Sequence, residues 1–492
     1  MFETAEVGNK LDKDTFKKEA PAVRAALLAV QRRIATSDLA PIIVIAGAEG
    51  AGKGETMALL LEWMDARGVE TNVLWKPSDE ERERPEYWRY WRALPPRGKL
   101  GIFFGSWYTA PIVERAFGRM KKAHFERALR RIRDFERLLT HEGVPVLKYW
   151  LHLGKAIEKK RIAQLSADPR ARWRLSGNAR RYFKRYDAFR RASEDAVRVT
   201  STGFAPWTVV EAADDEYRNL TVTTSVLQAL REAADEADAR GKSRAAPRPA
   251  LPQPKRVNVL RRLDLSQTMS HKAYDSRLAD AQADVGRLTR KLAKAKRSLL
   301  LVFEGPDAAG KGGAIRRVTR AMSPYAYRVI AIAAPTDEEQ AHPYLWRFWR
   351  HLPRRGRVTI YDRSWYGRVL VERIEGFALP AQWRRAYTEI NEFEEQLDDA
   401  GTILCKFWLA ISAKEQLRRF KDRQTTPYKQ YKITEDDWRN RKKWDAYEAA
   451  ACDMIERTST GRSPWVLVEA DDKYWARVKV VERVRDALAA AQ

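Results

Sequence analysis

Apolar runs of strand length recur along the chain, separated by longer stretches in which apolar positions return every three or four residues. In the C-terminal half the runs are 299–303, Tyr327–Ala331, 358–361, 403–408 and 465–468. The stretches between them predict helices, including a long one over Pro380–Asp399. Strand-type runs alternating with helical stretches imply a parallel sheet covered by helices.

The same pattern is written twice. GAEGAGKG from Gly47 resembles GPDAAGKG from Gly305, 258 residues further on. That offset also pairs Trp88 and Trp91 with Trp346 and Trp349, Ser106-Trp107-Tyr108 with Ser364-Trp365-Tyr366, Trp150 with Trp408, and Pro206-Trp207 with Pro464-Trp465. One constant spacing means two copies of one fold with almost no net insertion. A Pro-rich, charged stretch over 237–256 reads as an extended linker, which sets domains at 1–236 and 257–492.

The 492 residues are enough for two sizeable cores. With 92 Lys and Arg against 66 Asp and Glu, the net charge of +26 calls for an anionic partner. Cys405 and Cys452 belong to no CxxC or His/Cys cluster, so idle thiols in a reducing compartment are expected. The N-terminus carries no apolar run, and no segment approaches the roughly 18 apolar residues of a membrane span. These features predict a cytoplasmic protein with no membrane partner.

The strand at 299–303 leads into Gly305-Pro306-Asp307-Ala308-Ala309-Gly310-Lys311-Gly312, and a helix opens beyond Lys311. Such a Walker A-type loop lets backbone N–H groups wrap a phosphate, with Gly305, Gly310 and Gly312 freeing the backbone and Lys311 adding a point charge. Gly312 stands where a Ser or Thr usually helps to hold Mg²⁺. Asp307 is the replacement expected from sequence. A second carboxylate, Asp362, ends the strand at 358–361 and precedes Arg363, a placement that suits a metal ligand beside a cation facing the transferred group. Cations then crowd both sides of Pro427, from Arg418 through Arg423, Lys429 and Lys432, as in a lid closing over phosphates.

At the 258-residue offset the first copy loses this chemistry. Phe104 and Gly105 replace Asp362 and Arg363, and Ala163, Leu165 and Ala171 replace Lys421, Arg423 and Lys429. Lys53 survives and Glu49 replaces Asp307. A scaffold or binding role is expected for this copy.

GPDAAGKGG, Trp346-Arg347-Phe348-Trp349, YDRSWYGRVLVERI and the lid together resemble the polyphosphate kinase type 2 family across both halves. The resemblance implies an α/β fold of two tandem P-loop kinase-like domains, each a parallel sheet flanked by helices with a helical lid. It implies phosphoryl transfer from inorganic polyphosphate to a nucleoside monophosphate, AMP to ADP, with Mg²⁺ as cofactor. Carried over position by position, Asp307 and Asp362 bind metal, Lys311 and Arg363 bind phosphate, and Arg423, Lys429 and Lys432 are lid contacts. Arg368 and Arg373 are further phosphate-binding candidates, and self-association is expected. A nucleic-acid-binding P-loop protein, favoured by the charge and 17 Trp residues, and an ATP-dependent small-molecule kinase are the alternatives; no sequence signature for specific nucleic-acid binding stands out.

Overall fold

The computed structural model describes residues 1–242 and 258–491; of residues 240–242 and Lys432 it describes the backbone but not the side chains. The chain divides into two compact units. Unit 1 comprises Met1–Pro77, Arg89–Arg248 and Pro335–Trp346; unit 2 comprises Ser78–Trp88, Pro249–Ala334 and Arg347–Gln492.

Each unit is built on a five-stranded parallel sheet. Unit 1 has β1 (Ile42–Gly47), β2 (Val69–Val73), β3 (Leu100–Phe104), β4 (Val146–His152) and β5 (Trp207–Glu211) in the order β2-β3-β1-β4-β5. Unit 2 has β6 (Ser298–Glu304), β7 (Tyr327–Ala331), β8 (Val358–Asp362), β9 (Thr402–Ala410) and β10 (Trp465–Glu469) in the order β10-β9-β6-β8-β7. Read from the other edge, this is the same arrangement, so the duplication seen in the sequence is a duplication of topology. All five expected strands of the second copy are present, and the predicted helix spans Pro380–Asp399.

The central strand β6 is buried at all seven positions, SLLLVFE. A strand with neighbours on both sides and helices on both faces has no wet face, so its sequence runs apolar instead of alternating. From β6 the chain crosses to the edge strand β7, returns to β8 beside β6, and then moves to the far side as β9. Ligands bind at such a reversal, beyond the carboxyl ends of the strands. The register Phe303↔Asp362 and Glu304↔Trp408 brings three strand ends together there.

A buried ion pair braces this region in both units. Lys406 donates to Glu394 at 2.6 Å, to the Tyr366 hydroxyl at 3.0 Å and to the Thr458 carbonyl at 2.7 Å, while Trp365 and Tyr366 also donate to Glu394. Lys148, Glu136, Tyr108, Trp107 and Thr200 repeat these contacts in unit 1. This accounts for the survival of Ser-Trp-Tyr in a copy that lost the neighbouring Asp-Arg: the aromatic pair fills the core and partners a buried charge.

The expected linker begins differently. An Ala- and Glu-rich helix, Asp215–Lys242, runs through the first six residues of 237–256, because its composition favours helix over extended chain. Residues 243–256 lie outside the described residues. Among the described residues no helix is long and apolar enough to cross a membrane. Cys405 is buried and Cys452 half-buried, and both thiols are free.

Candidate active site

The loop after β6 turns sharply at Gly305, whose φ is +143°. A Cβ there would lie 2.5 Å from the Leu409 carbonyl oxygen, so only glycine fits between the strand ends. Gly310, in the left-handed region, caps the helix Lys311–Thr319. A Cβ at Gly312 would meet nothing within 4 Å, so space does not account for its missing hydroxyl side chain. Lys311 Nζ folds back across the loop to the carbonyls of Gly305 at 2.8 Å and Pro306 at 3.2 Å. Lys53 repeats this in unit 1 with Gly47 and Ala48.

Asp307 is held from two sides. Arg363 Nη2 donates to Oδ1 at 2.6 Å and Asn440 Nδ2 donates to Oδ2 at 2.9 Å. Burial alone would raise its pKa, but Lys311, Arg363, Asn440 and Arg423 more than offset that and hold the carboxyl below the ordinary range. Arg363 takes φ +64°, a strained conformation for a side chain of this size, where Gly105 takes φ +79° in unit 1. Strain of this kind costs about 1–3 kcal/mol and persists where function requires the side chain. Burial works against the Arg363 charge, and Asp307, Glu304 and Asp362 outweigh it, so its pKa is raised. For Lys311, burial and the adjacent Arg363 prevail over the same three carboxylates and lower the pKa.

Glu304 is a site residue that the sequence motifs did not single out. It ends β6, is fully buried, and accepts from Ser364 Oγ at 2.8 Å. Burial pushes its pKa up despite Lys311 and Arg363 nearby. A lone carboxylate ending an apolar strand was the available signal, and the offset comparison sharpens it: the unit 1 counterpart is Ala46. Asn440, whose counterpart is Tyr182, left no such signal, because only the fold carries it to Asp307.

The lid cations separate into two kinds. Arg419 is buried and clamps the loop, donating to the carbonyls of Ala308, Ala309, Ala470 and Asp471. Its counterpart Arg161 likewise reaches the Ala213 carbonyl, which marks this arginine as a brace in both copies. Arg423 lies 4.0 Å from Asp437 and is among the cations acting on Asp307. Lys429 pairs with Asp422 at 2.9 Å on the surface. The Lys432 side chain lies outside the described residues. Arg368 pairs with Glu372 at 3.0 Å. Arg373 binds Asp453 at 2.8 Å and Tyr387 at 3.0 Å and lies over the Trp383 ring. Neither lines the site cavity; Arg368 pairs within the segment after Asp-Arg-Ser, and Arg373 ties that segment to the helices carrying Tyr387 and Asp453.

That cavity, of about 260 Å³, opens beside the loop. Glu304, Gly305, Asp307 and Arg363 line one end, and Leu260, Leu263, Leu265, Trp408 and Trp444 are apolar walls, with Arg261, Gln416, Asn440 and Glu448 also on the lining. The Arg363 cation beside the loop at one end and apolar side chains on the walls fit a nucleotide-sized molecule, the volume lying near the roughly 300 Å³ lower end of ligand pockets.

Comparison with known proteins gives the family. The family model "Polyphosphate kinase 2 (PPK2)" matches residues 10–238 and again 268–492. The chain is 51% identical to a polyphosphate:AMP phosphotransferase of Pseudomonas aeruginosa, over 100% of this chain and 99% of that protein. It is 47% identical to one of Pseudomonas syringae pv. tomato, over 99% and 98%, and 37% identical to one of Acinetobacter johnsonii, over 91% of each. A crystal structure from Pseudomonas aeruginosa PA01, described as a polyphosphate kinase 2, superposes with a TM-score of 0.89 at 50% identity, covering 100% of this chain and 99% of that one. Two matched copies and two matching folds lead to one assignment: the chain belongs to the polyphosphate kinase 2 family.

Proposed function

We propose that unit 2 transfers the terminal phosphoryl group of inorganic polyphosphate to AMP, giving ADP and a chain one phosphate shorter, and that unit 1 is non-catalytic. The observation that carries this reading is that Arg363, Asp307 and Glu304 line one end of the cavity beside the loop that also carries Lys311. The full-length relatives are polyphosphate:AMP phosphotransferases.

The acceptor phosphate is already an oxyanion near neutral pH, its second pKa being about 6. No general base is therefore needed, and catalysis consists of alignment and of neutralising charge on the transferred group. A phosphate oxygen of AMP attacks the terminal phosphorus, the bridging P–O bond breaks, and its electron pair stays on the shortened chain. Lys311 and the loop N–H groups hold the phosphates and Arg363 faces the migrating group. Asp307 aims Arg363, with Asn440 aiming Asp307. Arg423, Lys429 and Lys432 are the lid contacts.

Asp307 and Asp362 would hold Mg²⁺, which when bound supplies charge neutralisation at the phosphates. Hard carboxylate oxygens suit that ion, which binds through one or two carboxylates and substrate phosphates. Both Asp307 oxygens already accept hydrogen bonds, so the ion would share them with Arg363 and Asn440.

Stacking on nucleic acid finds little support. The matched tryptophans are buried, and the well-exposed ones among the described residues are Trp75 and Trp173. Incubation with AMP, polyphosphate and Mg²⁺ is expected to yield ADP, and Asp362→Asn to abolish it. A folded protein that makes no ADP across a range of divalent metals would overturn the reading.

A further inference from the structure

The 258-residue offset pairs Leu260 with Phe2, and both lie in short 3₁₀ turns, Leu260–Arg262 and Phe2–Ala5. In unit 1 Phe2 is completely buried, stacked on Trp150 with ring centroids 5.4 Å apart and planes 8° from parallel, and 4.7 Å from His152. Trp150 and His152 correspond to Trp408 and Ala410, which line the unit 2 cavity together with Leu260. The two turns therefore cross the same place in the fold. Phe2 and His152 pack together there in unit 1, whereas Leu260 and Ala410 line a cavity of about 260 Å³ in unit 2.

The turns are also fastened alike. In unit 2 Arg261 pairs with Glu448 at 2.7 Å. In unit 1 the matching positions are Glu3 and Arg190, and they pair with the charges reversed. A reversed pair keeps the attraction although both residues differ, so the strap holds the same seat in each copy. Glu6 adds a 2.7 Å contact to His152 Nε2, fixing the unit 1 strap over its filled pocket.

We infer that Leu260 keeps the acceptor cavity open, that the strap over 258–265 is the wall against which the acceptor nucleobase packs, and that Phe2 closes unit 1 to nucleotide. The inference rests on the reading that this cavity takes AMP. Strap side chains then set acceptor affinity without touching polyphosphate.

The test copies unit 1 into unit 2. Leu260→Phe is expected to raise KM for AMP by roughly tenfold or more, the scale on which pocket volume discriminates, while leaving KM for polyphosphate unchanged. Ala410→His, which fills the cavity from the opposite wall, is the second variant and should act alike; melting temperature and circular dichroism identify whichever of the two is folded. A folded variant with wild-type KM for AMP overturns the inference, as does an equal rise in both KM values. Phe2→Ala should leave AMP kinetics unchanged, and equilibrium dialysis of the wild type should find one AMP per chain; two would overturn closure of unit 1. Absence of ADP formation by the wild type would instead sink the acceptor reading itself.

Discussion

The Arg363 guanidinium donates to the Asp307 carboxylate at 2.6 Å from a backbone held at φ +64°, the conformation that Gly105 takes at φ +79° in unit 1. The loop thus keeps its path with or without the charge. Arg363→Gly should fold normally and lose about 10²–10³ in kcat, the effect of removing one preorganised charge-stabilising donor. Arg363→Lys should stay impaired, because an ammonium lacks the planar fork that reaches Asp307 and the phosphoryl group together. Steady-state ADP formation measures both.

Lys311 and Lys53 make the same contacts to their loop carbonyls but stand among different neighbours. Lys311→Ala is expected to lower kcat by about 10²–10³ by the same electrostatic reasoning. Lys53→Ala should leave kcat unchanged, since Ala46, Phe104 and Gly105 replace two of the three carboxylates and the arginine around it. Equal losses in the two variants would contradict a non-catalytic unit 1.

Glu158 is a buried carboxyl of unit 1 whose pKa is pushed up to about 7, first by burial and then by Glu49, with Lys53 opposing. Its folded pKa lies above the unfolded value of 4.5, so the native state holds a proton that the unfolded chain has released. Its stability contribution is complete below pH 4.5 and declines as the pH rises through about 7. Glu158→Gln installs the residue found at the matching position, Gln416. It should stabilise the protein by roughly 3 kcal/mol at pH 8 and by little at pH 4.5, because each tenfold difference in proton affinity between the folded and unfolded chain is worth about 1.4 kcal/mol. Denaturation at the two pH values decides this.

Lys406 and Glu394 are both buried and depend on each other. Lys406→Met should cost about 3–5 kcal/mol by leaving Glu394 without its counter-charge. Lys148→Met should cost a similar amount through Glu136. Replacing both partners of one pair with apolar residues should recover much of the loss, and thermal melts of single and double variants measure the difference.

The duplication, the sheet strands and the phosphate loop were legible in the chain, because each is local: apolar runs, turn glycines and one constant offset need no knowledge of distant contacts. Asp307, Lys311, Asp362 and Arg363 could be singled out as candidates for the same reason, each sitting at a strand end or in the loop beside it. Arg373 was not. Its charge suggested a phosphate contact, but Asp453 lies 80 residues further along the chain and only the fold brings the two together. The tertiary structure likewise decided that Arg419 braces the loop, that Asn440 holds Asp307, and that Phe2 fills in one unit the cavity left open beside Leu260 in the other. A side chain's role is set by what surrounds it, and in this protein those surroundings come from segments far apart in the chain, 192 residues in the case of Phe2 and Glu194.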